Sequence, residues 1–209
     1  YSFLHVINPE FKKNHGTKPN SIERFNLVKD QYEKFKTNNL FIQDEKSSFY
    51  VYKQTTPSAK FTGIIAGASV LDYRNGLIKK HENTIHKRES IFKNYLEVTK
   101  FHAEPVLLAY KPTKKIQEIT NKVILNRPEY EFTTTDKKVH ELWLIEKEVY
   151  LNEIIKEFKD INNIYIADGH HRIASSLLYK KDNKNTIANN HFLSFFIDQN
   201  DLKIFEYNR

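Results

Sequence analysis

The segment best suited to chemistry runs from Asp168 to Arg172 and reads Asp-Gly-His-His-Arg. The β-forming residues Ile164, Tyr165 and Ile166 precede it, and a helix-forming stretch follows. A helix N-terminus offers unpaired backbone N–H groups and the positive end of the helix dipole, which together attract anions. Gly169 permits a sharp turn or the close approach of a ligand to the backbone. The pattern predicts a phosphate site at a strand-to-helix junction.

The side chains of this segment could each take a role. Arg172 offers a planar fork for phosphate or carboxylate. His170 and His171 could donate hydrogen bonds to phosphate or shuttle a proton near neutral pH. Asp168 could orient a histidine, bind a metal or act as a base. The alternative is a capped turn, in which Asp168 caps the helix and its neighbours are solvated.

A second polar segment, Lys79–Thr84, reads KKHENT and is followed by His86. His81 and His86 are five residues apart, whereas the zinc-protease helix motif requires histidines at i and i+4. We interpret the segment as a polar loop before a helix. In it Glu82 acts as general base or holds Mg²⁺, and Lys80 contacts phosphate. The alternative is an exposed, charged helix start.

The absence of several known motifs and of cysteine excludes some classes of protein. The chain contains no G-x-x-x-x-G-K-[ST], G-x-G-x-x-G or G-x-S-x-G pattern, so no P-loop, dinucleotide fold or hydrolase elbow is indicated. Cysteine is absent, which excludes disulfides, thiolate nucleophiles and cysteine-ligated zinc. His102 and Glu104 precede an apolar strand and could reach a cleft at its end, although such a pair is more often structural.

The elements that must position these residues alternate in type. Hydrophobic patterns predict helices at 21–37, 87–100, about 113–123, 148–158 and 171–181, with Asn20 or Ser21 as the first N-cap. Strands are predicted at 3–7, 49–54, 61–73, 105–110, 129–135, 138–146 and 163–167, followed by a closing pair, NHFLSFFID and LKIFEYNR. Paired strands mixed with single helices favour an α+β (mixed α/β) fold, in one domain over residues 1–209.

The net charge of +7 arises from 33 Lys and Arg against 26 Asp and Glu, and the lysines are scattered among acids. Nucleic-acid binding is therefore possible but disfavoured. No apolar run approaches the roughly 20 residues of a membrane span, and no signal peptide is visible. We expect no membrane association, a cytoplasmic location, and a chain that is a fragment truncated at both ends.

Three blocks, SFLHVINPE, GLIKKHENT and YIADGHHRIASSL, together with the final YNR, resemble the DUF1015 family of unknown function. The chain departs from that family's pattern at Asn83, where histidine is common, and it lacks an N-terminal Pro-Tyr-Asp element. More distantly, the Gly-x-x-Arg turn resembles the superfamily of ParB, sulfiredoxin and free serine kinases. That resemblance implies a mixed sheet with flanking helices, and phosphate bound at Gly169, His170, His171 and Arg172.

These observations lead to a hypothesis of a nucleotide-dependent small-molecule kinase that uses ADP/ATP or CTP with Mg²⁺. Asp168 or Glu82 would serve as base or hold Mg²⁺, while Lys80 and His81 would offset developing charge. One alternative is a ParB-like, nucleotide-switched module that binds nucleic acid. Another is a metal-dependent hydrolase, for which the candidate residues are His81, Glu82, Asp168 and His170. The kinase hypothesis requires the two polar segments to lie within about 15 Å of each other.

Overall fold

The computed structural model describes residues 2–10, 16–183 and 187–203. Within these ranges, the helices are α1 (Leu4–Ile7), α2 (Ile22–Thr37), α3 (Val70–Arg74), α4 (His86–Thr99), α5 (Lys114–Val123), α6 (Glu148–Asp160) and α7 (His170–Asp182), with a 3₁₀ turn at Ile187–Asn190. The strands are β1 (Phe49–Thr55), β2 (Lys60–Ser69), β3 (Ile78–Lys79), β4 (Val106–Tyr110), β5 (Tyr130–Thr133), β6 (Val139–Ile145), β7 (Ile164–Asp168) and β8 (His191–Asp198).

These strands form a single mixed sheet in the order β3-β7-β4-β8-β2-β1-β6-β5. The pairs β3–β7 and β4–β8 are parallel, and the remaining neighbours are antiparallel. The hairpins β1–β2 and β5–β6 have the positions that the sequence predicts. The α+β (mixed α/β) class is therefore confirmed, whereas a ParB-like fold remains a hypothesis.

The main core lies between the sheet and the helices that follow its strands. Successive residues of a strand point to opposite faces, and alternate residues of β2 and β8 such as Ile64 and Phe196 are buried. The helices α5, α6 and α7 contribute Ile116, Ile154 and Ile173 to the same apolar cluster. The burial of Ile173 holds α7 against the sheet and so positions its first residue, His170.

A second, smaller cluster joins α2 to the rest of the molecule. It contains Val28 and Phe35 of α2 together with Val6. The α2 helix begins as predicted, since the Ser21 side chain accepts a hydrogen bond from the Arg24 N–H. The α2 helix packs on α4, which in turn packs on α7. The helices α2, α4 and α7 therefore pack side by side in succession.

One strand prediction is wrong, and another is too long. Residues 3–7 were expected to form a strand, but Leu4–Ile7 is a short helix, in which the Ser2 hydroxyl accepts from the Leu4 N–H and Val6 packs against α2. The strand predicted for 61–73 ends at Ser69, because the Ser69 hydroxyl accepts from the N–H groups of Leu71 and Asp72 and caps α3.

The predicted last strand, LKIFEYNR, has no strand at its described residues, 202–203, where the chain turns back on Asp198. Residues 204–209 of that prediction lie outside the described part of the chain. Among the described helices, none has the length and apolar character needed to cross a lipid bilayer.

Candidate active site

The turn between β7 and α7 has the backbone geometry that its glycine suggests. Gly169 has a φ of +100°, in the left-handed region, and His170 begins the helix directly after it. Among the described residues, no side-chain hydrogen bond caps the start of α7. The N–H groups of His170, His171 and Arg172 belong to this first turn, where the helix itself supplies no carbonyl partners.

Arg172 holds this turn in place. Its Nη1 donates to the Pro105 carbonyl, and its Nη2 donates to Oδ2 of Asp168 at 2.5 Å. Nη1 also lies 3.4 Å from Oε2 of Glu104. The guanidinium and the Asp168 carboxylate therefore face each other, and the contact with Pro105 ties the α7 start to the residue that precedes β4. Because the Arg172 guanidinium is already engaged by these contacts, an anion at the turn would contact the backbone N–H groups before the arginine side chain.

The KKHENT segment reaches the same place because β3 runs parallel to β7, with Ile78 opposite Ile164. Beyond β3, Nε2 of His81 lies 3.8 Å from Oε1 of Glu82, and Nδ1 of His170 lies 3.8 Å from Oε2 of Glu82. The His81 and His170 rings meet edge to face with centroids 4.4 Å apart. The proximity on which the shared-site hypothesis depends is thus present.

Three further contacts fix the loop that carries Glu82. Nε2 of His171 accepts a hydrogen bond from the Ile85 N–H at 3.2 Å, which joins the loop to α7. The Thr84 hydroxyl donates to Glu89, and Nδ1 of His86 lies 3.2 Å from the other Glu89 oxygen. The His171 side chain therefore links the start of α7 to the loop that carries Glu82.

Glu89 is a site-supporting residue that the sequence did not reveal. It is 6% exposed. The hydrogen bond from Thr84 lowers the pKa of Glu89, and contact with His86 adds to this effect against the opposing influence of burial. Thr84 and Glu89 are five residues apart, so they do not match the three-residue spacing of a capping box, which is the signal that would have marked them.

His170 differs from its neighbours in being 6% exposed. Burial lowers the pKa of His170 and nearby His81 lowers it further, while Glu82 acts in the opposite direction. These effects favour the neutral imidazole. One donor atom from each of His81, Glu82 and His170 can be chosen so that all three lie within 4.8 Å of one another, so these residues could hold a metal ion.

The two remaining candidates lie at the edge of the site. Lys80 is exposed and directly follows β3, and Asp168 is an exposed residue at the end of β7. Asp168 faces Arg172 through the contact described above. The carboxylate nearest to both histidines is therefore that of Glu82.

The sequence model of the DUF1015 family matches residues 1–209, and the description of this family is "protein of unknown function". The chain belongs to the DUF1015 family. No curated protein and no solved structure matches it. The more distant resemblance to ParB, sulfiredoxin and free serine kinases accordingly remains a hypothesis about this DUF1015 member.

A cavity of about 530 Å³ opens on the other side of Arg172 in this DUF1015 chain. Its wall is largely apolar, with Phe25 and Val28 from α2 and Leu96 from α4. His102, Glu104 and Arg172 also line it, so the His–Glu pair noted in the sequence does face a cleft. Burial lowers the pKa of His102, which favours the neutral ring. The volume lies in the range usual for small-molecule pockets.

Proposed function

We propose that this DUF1015 member is a phosphate- or nucleotide-binding enzyme that transfers a phosphoryl group to a small molecule, as a free serine kinase does. One observation carries the proposal. The Glu82 carboxylate lies 3.8 Å from His170, at the uncapped N-terminus of α7. A candidate base and a candidate anion site are therefore adjacent.

The phosphates would bind at the first turn of α7. The backbone N–H groups of His170, His171 and Arg172 and the helix dipole suit an anion. Gly169 has no side chain to obstruct its approach. Lys80, exposed beside His81, supplies a mobile positive charge near the same turn. Arg172 contributes by holding the turn through Pro105 and Asp168.

Glu82 is the favoured base, because Asp168 is paired with Arg172. In the reaction, the acceptor hydroxyl gives its proton to Glu82 while its oxygen forms a bond to the terminal phosphorus of the nucleotide. The bond from that phosphorus to the bridging oxygen breaks, and the nucleotide leaves with one phosphate fewer, as a diphosphate from ATP or CTP and as AMP from ADP. Phosphoryl transfer depends mainly on positioning and charge stabilisation, and His81 and Lys80 would supply positive charge.

The apolar cavity behind Arg172 is the proposed pocket for the nucleoside or for the body of the acceptor. It shares Arg172 with the α7 turn, so a ligand could place an apolar group in the cavity and an anionic group at the turn. Arg24 also lines the cavity, where its guanidinium is paired with Glu10 at 3.3 Å and donates to Asn8 at 2.7 Å.

Calorimetric titration of the purified protein with ADP, ATP and CTP at millimolar concentration with Mg²⁺ tests the binding step. We expect saturable binding of at least one nucleotide. Incubation with the bound triphosphate and L-serine or related hydroxyl compounds, followed by ³¹P NMR, tests for a new phosphate ester. The proposal fails if none of the three nucleotides binds.

The donor set of His81, Glu82 and His170 favours a second candidate, a metal-dependent hydrolase. The two reactions differ in their acceptor. A hydrolase releases inorganic phosphate from a phosphate ester in the absence of any hydroxyl acceptor, whereas a kinase requires the acceptor for product formation. The ParB-like module predicts DNA affinity that falls steeply with salt, which a binding titration at two salt concentrations would reveal.

A further inference from the structure

We propose that His81, Glu82 and His170 form a site for one divalent transition metal ion of the zinc class, held by two imidazole nitrogens and one carboxylate. Imidazole ligands suit zinc, iron, copper and nickel, whereas magnesium prefers an all-oxygen shell. The inference goes beyond the proposed phosphoryl transfer, and it assigns Glu82 differently, because a Glu82 carboxylate bound to the metal would not be free to act as the base.

The donor geometry is close to that of a metal site. Oε1 of Glu82 faces Nε2 of His81, and Oε2 faces Nδ1 of His170, each at 3.8 Å. Donor atoms bound to one zinc ion lie about 3–3.5 Å apart, because each bond is about 2.1 Å long. The three donor atoms lie within 4.8 Å of one another, and the side chains of His81 and Glu82 are 60% and 62% exposed, so rotation of these two side chains could bring the donors closer together.

The surroundings of His170 indicate which of its two nitrogens could bind a metal. The residue is 94% buried, and its Nε2 has no hydrogen-bond partner among the described residues. Its Nδ1 approaches Glu82 at 3.8 Å, which is beyond hydrogen-bonding distance. Buried polar atoms in proteins normally have a partner. The unpartnered buried atom is Nε2, whereas the nitrogen that would bind the metal is Nδ1, which faces Glu82 and makes no hydrogen bond to a described residue.

The site is open, and its position indicates what completes it. Three protein ligands leave a coordination position for water or substrate, as in catalytic zinc sites. The positive end of α7 opposes a bare cation, but the Glu82 carboxylate offsets that effect. The same helix end favours an anionic oxygen as the next ligand, such as one from a phosphate or a carboxylate. The site therefore suits a metal together with an anionic substrate.

Metal binding can be measured directly on protein stripped with a chelator. We expect calorimetry to show one high-affinity Zn²⁺ per chain with much weaker Mg²⁺ binding, and Co²⁺ to give a visible absorption band. His81→Ala and Glu82→Gln should each weaken Zn²⁺ binding by roughly tenfold or more, because each removes one of three ligands. The control is His191→Ala, which removes an exposed imidazole of β8 outside the site.

Equal Zn²⁺ affinity in the wild type, His81→Ala and His191→Ala would overturn the proposal, as would no Zn²⁺ binding by the wild type. His81 is exposed, so its variant should fold, and circular dichroism would verify this; His170→Ala is informative only if it also folds. Nucleotide titration in the presence of chelator separates the two proposals. Zinc binding without nucleotide binding defeats the phosphotransferase alone, and the reverse result defeats the metal site alone.

Discussion

Nδ1 of His170 and Oε2 of Glu82 lie 3.8 Å apart, although the two residues come from distant parts of the chain. The parallel pairing of β3 with β7 produces this proximity, since both strands deliver their C-terminal ends to the same edge of the sheet. The His171–Ile85 hydrogen bond then holds the connecting loop against α7. Two polar segments that are separate in sequence thus form one site.

Glu82→Gln is expected to reduce phosphoryl transfer by roughly 10²–10⁴-fold, because the amide cannot accept the hydroxyl proton. Nucleotide affinity should change little, since the α7 N–H groups remain. Steady-state kinetics and nucleotide calorimetry on the same preparation measure both quantities. Glu118→Gln, an exposed change on α5, is the matched control. Full activity in the Glu82 variant would exclude this residue as the base.

Gly169→Ala should be more damaging than Gly76→Ala. Both glycines have positive φ, +100° and +77°, so either alanine costs about 1–2 kcal/mol of backbone strain. At Gly169 the added methyl would also lie 3.3 Å from the Arg172 guanidinium and 3.3 Å from Val106, whereas at Gly76 it would meet nothing within 4 Å. Urea unfolding compares the stabilities. Only the Gly169 variant should also lose nucleotide affinity, and equal affinities would contradict the proposed phosphate turn.

Arg172→Lys is expected to destabilise the fold by about 1–2 kcal/mol, because lysine cannot replace the fork that contacts both Pro105 and Asp168. The Asp168 side chain is 68% exposed, so its share of this energy is small. A double-mutant cycle with Asp168→Asn should give a coupling below about 1 kcal/mol. A larger coupling in denaturant unfolding would mean that the Asp168 pair, and not the Pro105 carbonyl, anchors the turn.

Glu89 should make stability depend on pH in the acidic range. Its folded pKa is lowered from 4.5, so its contribution is fully present above the unfolded pKa and is lost as the pH falls through the folded pKa. Glu89→Gln should cost about 1–2 kcal/mol at pH 7, because a buried charged acceptor is lost. Unfolding at pH 7 and at about pH 3 should show the difference between variant and wild type shrinking at the lower pH. A constant difference would show that the Glu89 charge does not matter.

The sequence predicted much of the local structure. The amphipathic period identified α2, α4, α5, α6 and α7, and the hairpin patterns identified β1–β2 and β5–β6. Gly169 marked the strand-to-helix turn, because a positive φ there is readily adopted only by glycine. These features depend on residues that are close along the chain, so they can be predicted without knowledge of the tertiary packing.

The strand predicted at 3–7 and the end of the strand predicted at 61–73 show where a local pattern fails to predict the structure. Residues 3–7 are apolar enough for a strand, but Val6 is buried against α2, and no strand in the described part of the chain pairs with the segment. At the end of β2, the Ser69 cap starts a helix that the β-branched and aromatic composition did not indicate. A short apolar run takes the form that its tertiary neighbours allow.

The chain itself determined which side chains could do chemistry: His81, Glu82 and the Asp168–Arg172 junction are all evident from residue type and spacing. Only the tertiary structure decided that Glu82 lies between two imidazoles, that Arg172 is engaged by Asp168 and Pro105, and that Glu89 supports the loop. The reason is physical. These contacts join residues that are brought together by strand pairing and helix packing, and such long-range contacts leave no local pattern in the sequence.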